Sequence, residues 1–148
     1  VITGRINRGF VTGLAGHFGT RQKNGDRKLI LSHAGHRQVL VYRKQENTVE
    51  LIELPNGTVM GLPGTTASRA KAIDLQLGDR FYAFTDGIVE ASNPKGEEFG
   101  TKRVMDAVKS LSNKPVQKTV EALYAKVAKF TQVPDQQDDI TILGFELS

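Results

Sequence analysis

Two pairs of residues in this chain have the types and placement to do chemistry. Asp86-Gly87 follows the apolar run Arg80-Phe81-Tyr82-Ala83-Phe84-Thr85, and Asp138-Asp139 precedes Ile140-Thr141-Ile142-Leu143-Gly144-Phe145. If the two runs are antiparallel neighbours, the end of one lies beside the start of the other, and the carboxylates converge at one sheet edge. Carboxylates gathered in this way cannot all ionise cheaply unless a cation neutralises them. Hard oxygen donors suit Mg²⁺ or Mn²⁺, ions that keep several waters and activate one of them. Gly87 would let a metal or ligand approach the backbone closely. Read singly, Asp-Gly is also a common turn dipeptide, and Asp-Asp ahead of a strand is a common loop end.

Other chemistries are excluded or thinly supported. The chain has no cysteine, so it holds no disulfide framework, thiolate zinc site or cysteine nucleophile. Three histidines are too few for a histidine-rich metal cage. His17 and His33 fall within or beside strands, where packing or surface roles are usual, and His36 follows Gly35 in a tight connection. No Gly-x-Ser-x-Gly elbow and no Gly-x-x-x-x-Gly-Lys phosphate loop occurs.

The elements that must position these residues are legible from periodicity. Phe10 to Phe18 reads as a buried strand, Asn24-Gly25 as a hairpin turn, and Leu29 to Ser32 as the return strand. Val39 to Tyr42 is a third strand. Asn47 marks a turn before the alternating strand Val49 to Leu54. Residues 55–69 are rich in Gly, Pro and Thr and read as a long loop or flap. Ala70 to Leu75 and Arg80 to Thr85 are further strands, and residues 88–100 are turn-rich. Val104, Met105, Val108 and Leu111 share one helical face. Pro115 suits the first turn of a second helix, whose stripe is Val116, Val120, Leu123, Val127 and Phe130. Pro134 ends that region, and Ile140 to Phe145 is the last strand. Strands, then two helices, then a strand predict an α+β fold with a largely antiparallel sheet.

The 148 residues suffice for one domain with a real core and no covalent staple. Hydrophobic residues make up 39% and charged residues 24%, which excludes a disordered chain. No apolar run approaches the roughly 18 residues of a membrane span, and the opening Val1 to Phe10 lacks signal-peptide order. A cytoplasmic setting without membrane contact is expected. The net charge of +4 is uneven: residues 1–44 carry +8, residues 45–100 carry −5, and residues 101–148 carry +1. The basic first third could meet an acidic partner, or it could simply be a solvated strand surface. Few aromatics interleave its cations, so no nucleic-acid partner is expected.

The order of the motifs resembles a family. Ala34-Gly35-His36, Met60-Gly61-Leu62 and Leu77-Gly78-Asp79-Arg80-Phe81 are followed by Phe84-Thr85-Asp86-Gly87-Ile88-Val89-Glu90-Ala91. Then come Gly96-Glu97-Glu98-Phe99-Gly100 and Asp138-Asp139-Ile140-Thr141-Ile142. This order is similar to that of bacterial SpoIIE-type serine phosphatases, members of the metal-dependent protein phosphatase (PPM, protein phosphatase 2C-like) superfamily. The resemblance implies an α/β/β/α sandwich of antiparallel sheets flanked by helices, with a binuclear Mn²⁺ or Mg²⁺ site. It implies attack of a metal-activated water on phosphoserine or phosphothreonine. Asp86 matches the family's metal-binding aspartate in its Asp-Gly motif, with Gly87 beside it, and Asp138 matches the metal-binding aspartate of the C-terminal motif. These two aspartates are the expected catalytic pair, and Asp139 takes the next, supporting position.

The resemblance also implies a partner: a phosphorylated anti-anti-sigma (STAS-type) protein in partner-switching signalling. Phosphoserine is anionic, which is compatible with the basic first third, including Arg37 and Arg43. The sequence departs from the family in lacking the Gly-Asp-x-x-Asp and Asp-x-x-Gly-His-Gly motifs, and no acid precedes Asp26. The expectation is therefore a single partial domain over residues 1–148, incomplete at its N-terminus and without half of its metal ligands. Three situations fit: a piece of a longer protein, a homodimer or complementing chain that supplies the rest, or a non-catalytic phosphatase-fold binding module.

Overall fold

The computed structural model describes residues 11–36, 38–57, 59–60, 69–132 and 139–148. The element order is β1 Gly13–Phe18, β2 Arg27–Ala34, β3 Gln38–Arg43, β4 Thr48–Glu53, β5 Lys71–Leu75 and β6 Arg80–Phe84. It continues with α1 Asp86–Val89, α2 Gly100–Ser110, α3 Val116–Thr131 and β7 Ile142–Glu146. Two antiparallel sheets plus helices make this the α+β class expected. The chain divides into two compact units. One comprises the chain up to Gln38 together with Ile52–Gln76, and the other Val39–Leu51 with Leu77–Ser148.

The first unit holds the sheet β1-β2-β5. Asn24-Gly25 does form the turn: Gly25 adopts φ 91°, a conformation that favours glycine, and the Asn24 side-chain amide donates to Asp26 Oδ2 at 2.7 Å. The hairpin sets Phe18 opposite Leu29, and β5 sets Ile73 opposite Leu29 and Asp74 opposite Lys28. Odd-numbered Leu29, Leu31, His33, Ile73 and Leu75 are buried on one face. On the other face Lys28 pairs with Asp74 at 2.8 Å. Most of the Gly/Pro/Thr-rich stretch read as a flap lies outside the described residues, as do Arg37 and Pro134.

The second unit holds β6, β7, most of β3 and β4 of the sheet β4-β3-β6-β7, and all three helices. Leu40 stands opposite Tyr82, and these two, with Tyr42 and Phe84, form one face of a core completed by Ile88, Phe99, Val104, Val108, Leu123 and Val127. Val39, Val41 and Phe81 lie on the alternate face and are also buried. Burial on both faces is why the two central strands read as unbroken apolar runs rather than alternating ones.

Strand β1, read as buried, is exposed or half-exposed along its length, and several boundaries differ from the sequence reading by a residue or two at strand ends. Pro115 is the N-cap of α3 rather than its first helical residue: its ψ of 148° is extended, while its carbonyl accepts the Thr119 N–H at 3.1 Å. The helix ends at Gln132 in a left-handed conformation, φ 54°, which stops it ahead of Pro134. Strand β7 begins at Ile142, two residues later than expected, because the Thr141 N–H goes to the Thr85 hydroxyl in place of a backbone carbonyl.

Candidate metal centre at the edge of the second sheet

Strands β6 and β7 are antiparallel neighbours, with Phe84 opposite Ile142 and Phe81 opposite Phe145. The end of β6 therefore lies beside the start of β7, and the segments carrying Asp86 and Asp139 meet at one edge of the sheet. Thr85 ties them together. Its N–H donates to the Thr141 carbonyl at 3.1 Å. Its hydroxyl donates to the Asp139 carbonyl at 3.0 Å and accepts the Thr141 N–H at 2.9 Å. Thr85 is also the N-cap of α1, yet its hydroxyl makes no cap bond because it is used across the sheet edge.

The short helix α1 turns the chain immediately after Thr85. Its first carbonyl, that of Asp86, accepts the Glu90 N–H at 2.9 Å. Gly87 and Ile88 are buried, and Ile88 anchors the turn in the core, while the Asp86 side chain stays in solvent. Among the described residues the Asp86 carboxylate has no hydrogen-bond or ion-pair partner. Asp139 is likewise exposed. Asp138, the other expected ligand, lies outside the described residues. The strand reading expected Asp86-Gly87 only to end β6; the helix was not legible because four residues carry no period.

The donor chemistry fits a hard divalent cation: two carboxylates and the Gly87 backbone are all oxygen donors. The number of donors is smaller than a closed site needs. Among the described residues no group of three or more His, Cys, Asp or Glu side chains converges. Sequence reasoning passed over Thr85 as the fastener of the site. The available signal was a hydroxyl residue placed between an apolar strand and Asp-Gly.

Some of the described cations of the first third are engaged. Arg43 donates from Nη1 to Asp79 Oδ2 at 2.9 Å and from Nε to Glu50 at 2.9 Å. Asp79 is fully buried and also accepts the Lys44 N–H at 3.0 Å. Burial opposes the charge on Arg43, but the bonds to Asp79 and Glu50 outweigh it and hold the guanidinium above its ordinary pKa. Arg43 is thus a structural ion-pair residue, a correction to its reading as a cation available to a phosphoserine. Arg27 stacks over the Phe18 ring at 5.4 Å. Buried His33 has its Nε2 on the Pro55 carbonyl, a packing role.

The sequence profile of the family described as Stage II sporulation protein E (SpoIIE) matches residues 4–148. Among solved structures, the SiaA-PP2C domain of Pseudomonas aeruginosa is similar, with a TM-score of 0.67 and 26% identity, over 82% of this chain and 47% of that one. The RsbU and RsbW domains of Rv1364c from Mycobacterium tuberculosis match with a TM-score of 0.66 and 21% identity, over 84% and 34% of the two chains. The catalytic domain of the serine threonine protein phosphatase PstP in complex with two manganese ions matches with a TM-score of 0.59 and 14% identity, over 90% and 56%. The chain thus spans about half the length, or less, of the solved structures it matches. No curated protein sequence matches it.

Proposed function

The chain belongs to the SpoIIE family, and from that premise we propose that it contributes Asp86 and Asp138 to a metal-dependent protein serine/threonine phosphatase. One observation carries the reading: Thr85 fastens the Asp86 turn to the Asp139 loop at a single sheet edge. Asp86, the Gly87 backbone and Asp138 would hold Mn²⁺ or Mg²⁺, with Asp139 in support. A divalent cation there supplies positive charge to a phosphoryl group and lowers the pKa of water. The chain's own residues fix the geometry. Ile88 pins the Asp86 turn into the core, and Thr85 sets the register of the two carboxylate-bearing segments.

The substrate in this reading is a phosphoserine on a STAS-type anti-anti-sigma protein or a similar regulatory phosphoprotein, in the cytoplasm. The occurrence of RsbU and RsbW domains together in one similar solved structure supports a partner-switching setting. Among the described residues no helix is long and apolar enough to cross a membrane.

The test is Mn²⁺-dependent hydrolysis of p-nitrophenyl phosphate by the chain beside its Asp86→Asn and Asp138→Asn variants. Turnover lost in both variants is the expected result. Turnover that survives both would contradict the assignment. A second reading, a non-catalytic phosphatase-fold binding module, is favoured by the lack of three convergent ligands among the described residues. It predicts no turnover in any form, and an unphosphorylated STAS partner that binds wild type and Asp86→Asn equally.

A further inference from the structure

Helices α2 and α3 enclose an open groove of about 610 Å³, lined by residues of the second unit. Its floor is apolar: Phe99 is buried, and its ring meets that of Phe130 edge-on at a centroid distance of 5.3 Å, beside Ala107. Its rim is cationic. Lys126 and Lys129 are exposed, one turn apart on α3, and have no ion-pair partner among the described residues. Arg103 is fixed at the groove by donating to the Glu98 and Phe99 carbonyls at 2.8 and 2.9 Å, with its guanidinium 4.9 Å from the centre of the Phe130 ring. Carbonyls orient that guanidinium but do not neutralise it. The one acid among the described lining residues, Asp106, pairs on the surface with Lys102 at 2.7 Å. The groove therefore carries three cations uncompensated by any described carboxylate, above an aromatic floor.

We infer that this groove docks an acidic, apolar-anchored peptide segment of a partner protein. An aliphatic or aromatic side chain would pack on the half-buried Phe130, and flanking carboxylates would meet Lys126, Lys129 and Arg103. Charge complementarity decides the sign of the occupant. The Phe130 ring beside the cations decides its class: a peptide side chain packs on that ring, which a small anion does not need. None of these residues belongs to the Asp86–Asp139 edge, so the inference goes beyond the phosphatase reading and stands without it.

The experiment is fluorescence anisotropy of a fluorescein-labelled peptide built on a Glu-Glu-Leu-Phe repeat, titrated with the whole chain. Control probes are a Glu-Glu-Ser-Ser repeat, a Lys-Lys-Leu-Phe repeat and AMP as competitor. The acidic apolar peptide is expected to bind. The double variant Lys126→Glu/Lys129→Glu, both on the surface, should weaken it about tenfold or more, and Phe130→Ala should weaken it with circular dichroism unchanged at the assay temperature. If Phe130→Ala unfolds, the lysine variant alone decides. Equal binding by wild type and lysine variant, equal binding of the Ser-containing probe, or no binding of any peptide at low salt overturns the inference. Displacement by AMP does so too, by assigning the groove to a small anion.

Discussion

Replacing Thr85 by Val removes the fastener of the candidate site and changes little else. Valine has nearly the same shape and β propensity, so β6 should persist. The lost interactions are the hydroxyl's donation to the Asp139 carbonyl and its acceptance of the Thr141 N–H, at 3.0 and 2.9 Å. The backbone bond from Thr85 N–H to Thr141, at 3.1 Å, remains. Each hydrogen bond of this kind contributes about 1 kcal/mol net, and less where water replaces a partner. Both are partly solvated, so the expected loss is about 1–1.5 kcal/mol. In a domain of this size that lowers Tm by about 3–6 °C. Thr85→Ser keeps the hydroxyl and should recover most of the loss. The assay is paired: urea unfolding followed by circular dichroism, and Mn²⁺ affinity by calorimetry. Thr85→Val should weaken Mn²⁺ binding by more than its loss of stability explains, because the carboxylate-bearing segments lose their register. Unchanged Mn²⁺ affinity in a folded Thr85→Val variant, or equal loss in Thr85→Ser, would refute the fastening role.

Three further outcomes follow from the second unit. Asp79→Ala removes the buried carboxylate that Arg43 donates to and strips the Lys44 N–H of its acceptor, so it should cost about 2–4 kcal/mol in chemical denaturation; Asp79→Asn, which keeps an acceptor, should cost less. Burial raises the Tyr82 phenol above its usual value, against Thr119 and Arg80, which lower it. The unfolded chain therefore loses this proton first. The stability Tyr82 contributes is intact below the ordinary tyrosine pKa of about 10 and is lost as pH rises through the folded value. Tyr82→Phe should flatten the alkaline fall of the urea midpoint, and an identical fall in both forms would show the shift to be absent. Gly144→Ala would place a methyl group 2.8 Å from Val116 Cγ1 and 3.0 Å from Tyr82 Cδ1, crowding α3 against β7; a loss of about 1–3 kcal/mol is expected by thermal unfolding.

What was legible in the sequence was local. The Asn24-Gly25 turn, the unbroken strands around Leu40 and Tyr82, and the α3 stripe all have signals within a few residues, and each element is present. The adjacency of β6 and β7, on which the candidate site depends, has no local signal. It is a non-local fact, since Phe84 and Ile142 are far apart in the chain. The same distance hid the partner of Arg43, because Asp79 reads locally as part of a Gly-Asp turn. Charge counting alone made Arg43 look available, whereas its carboxylates come from β4 and from the start of β6. The α2–α3 groove was invisible for a further reason. Phe99 ends a turn-rich segment held by Asn93, and only the fold brings it to Phe130.

The most direct test of the central claim is Mn²⁺ binding by the chain, measured by calorimetry, beside Asp86→Asn and Asp138→Asn. Binding in the wild type that is lost or weakened at least tenfold in each variant is the result expected when a charged ligand is removed from a hard-cation site. Wild-type affinity retained in both variants would show that the edge joined by Thr85 is not where the metal is held.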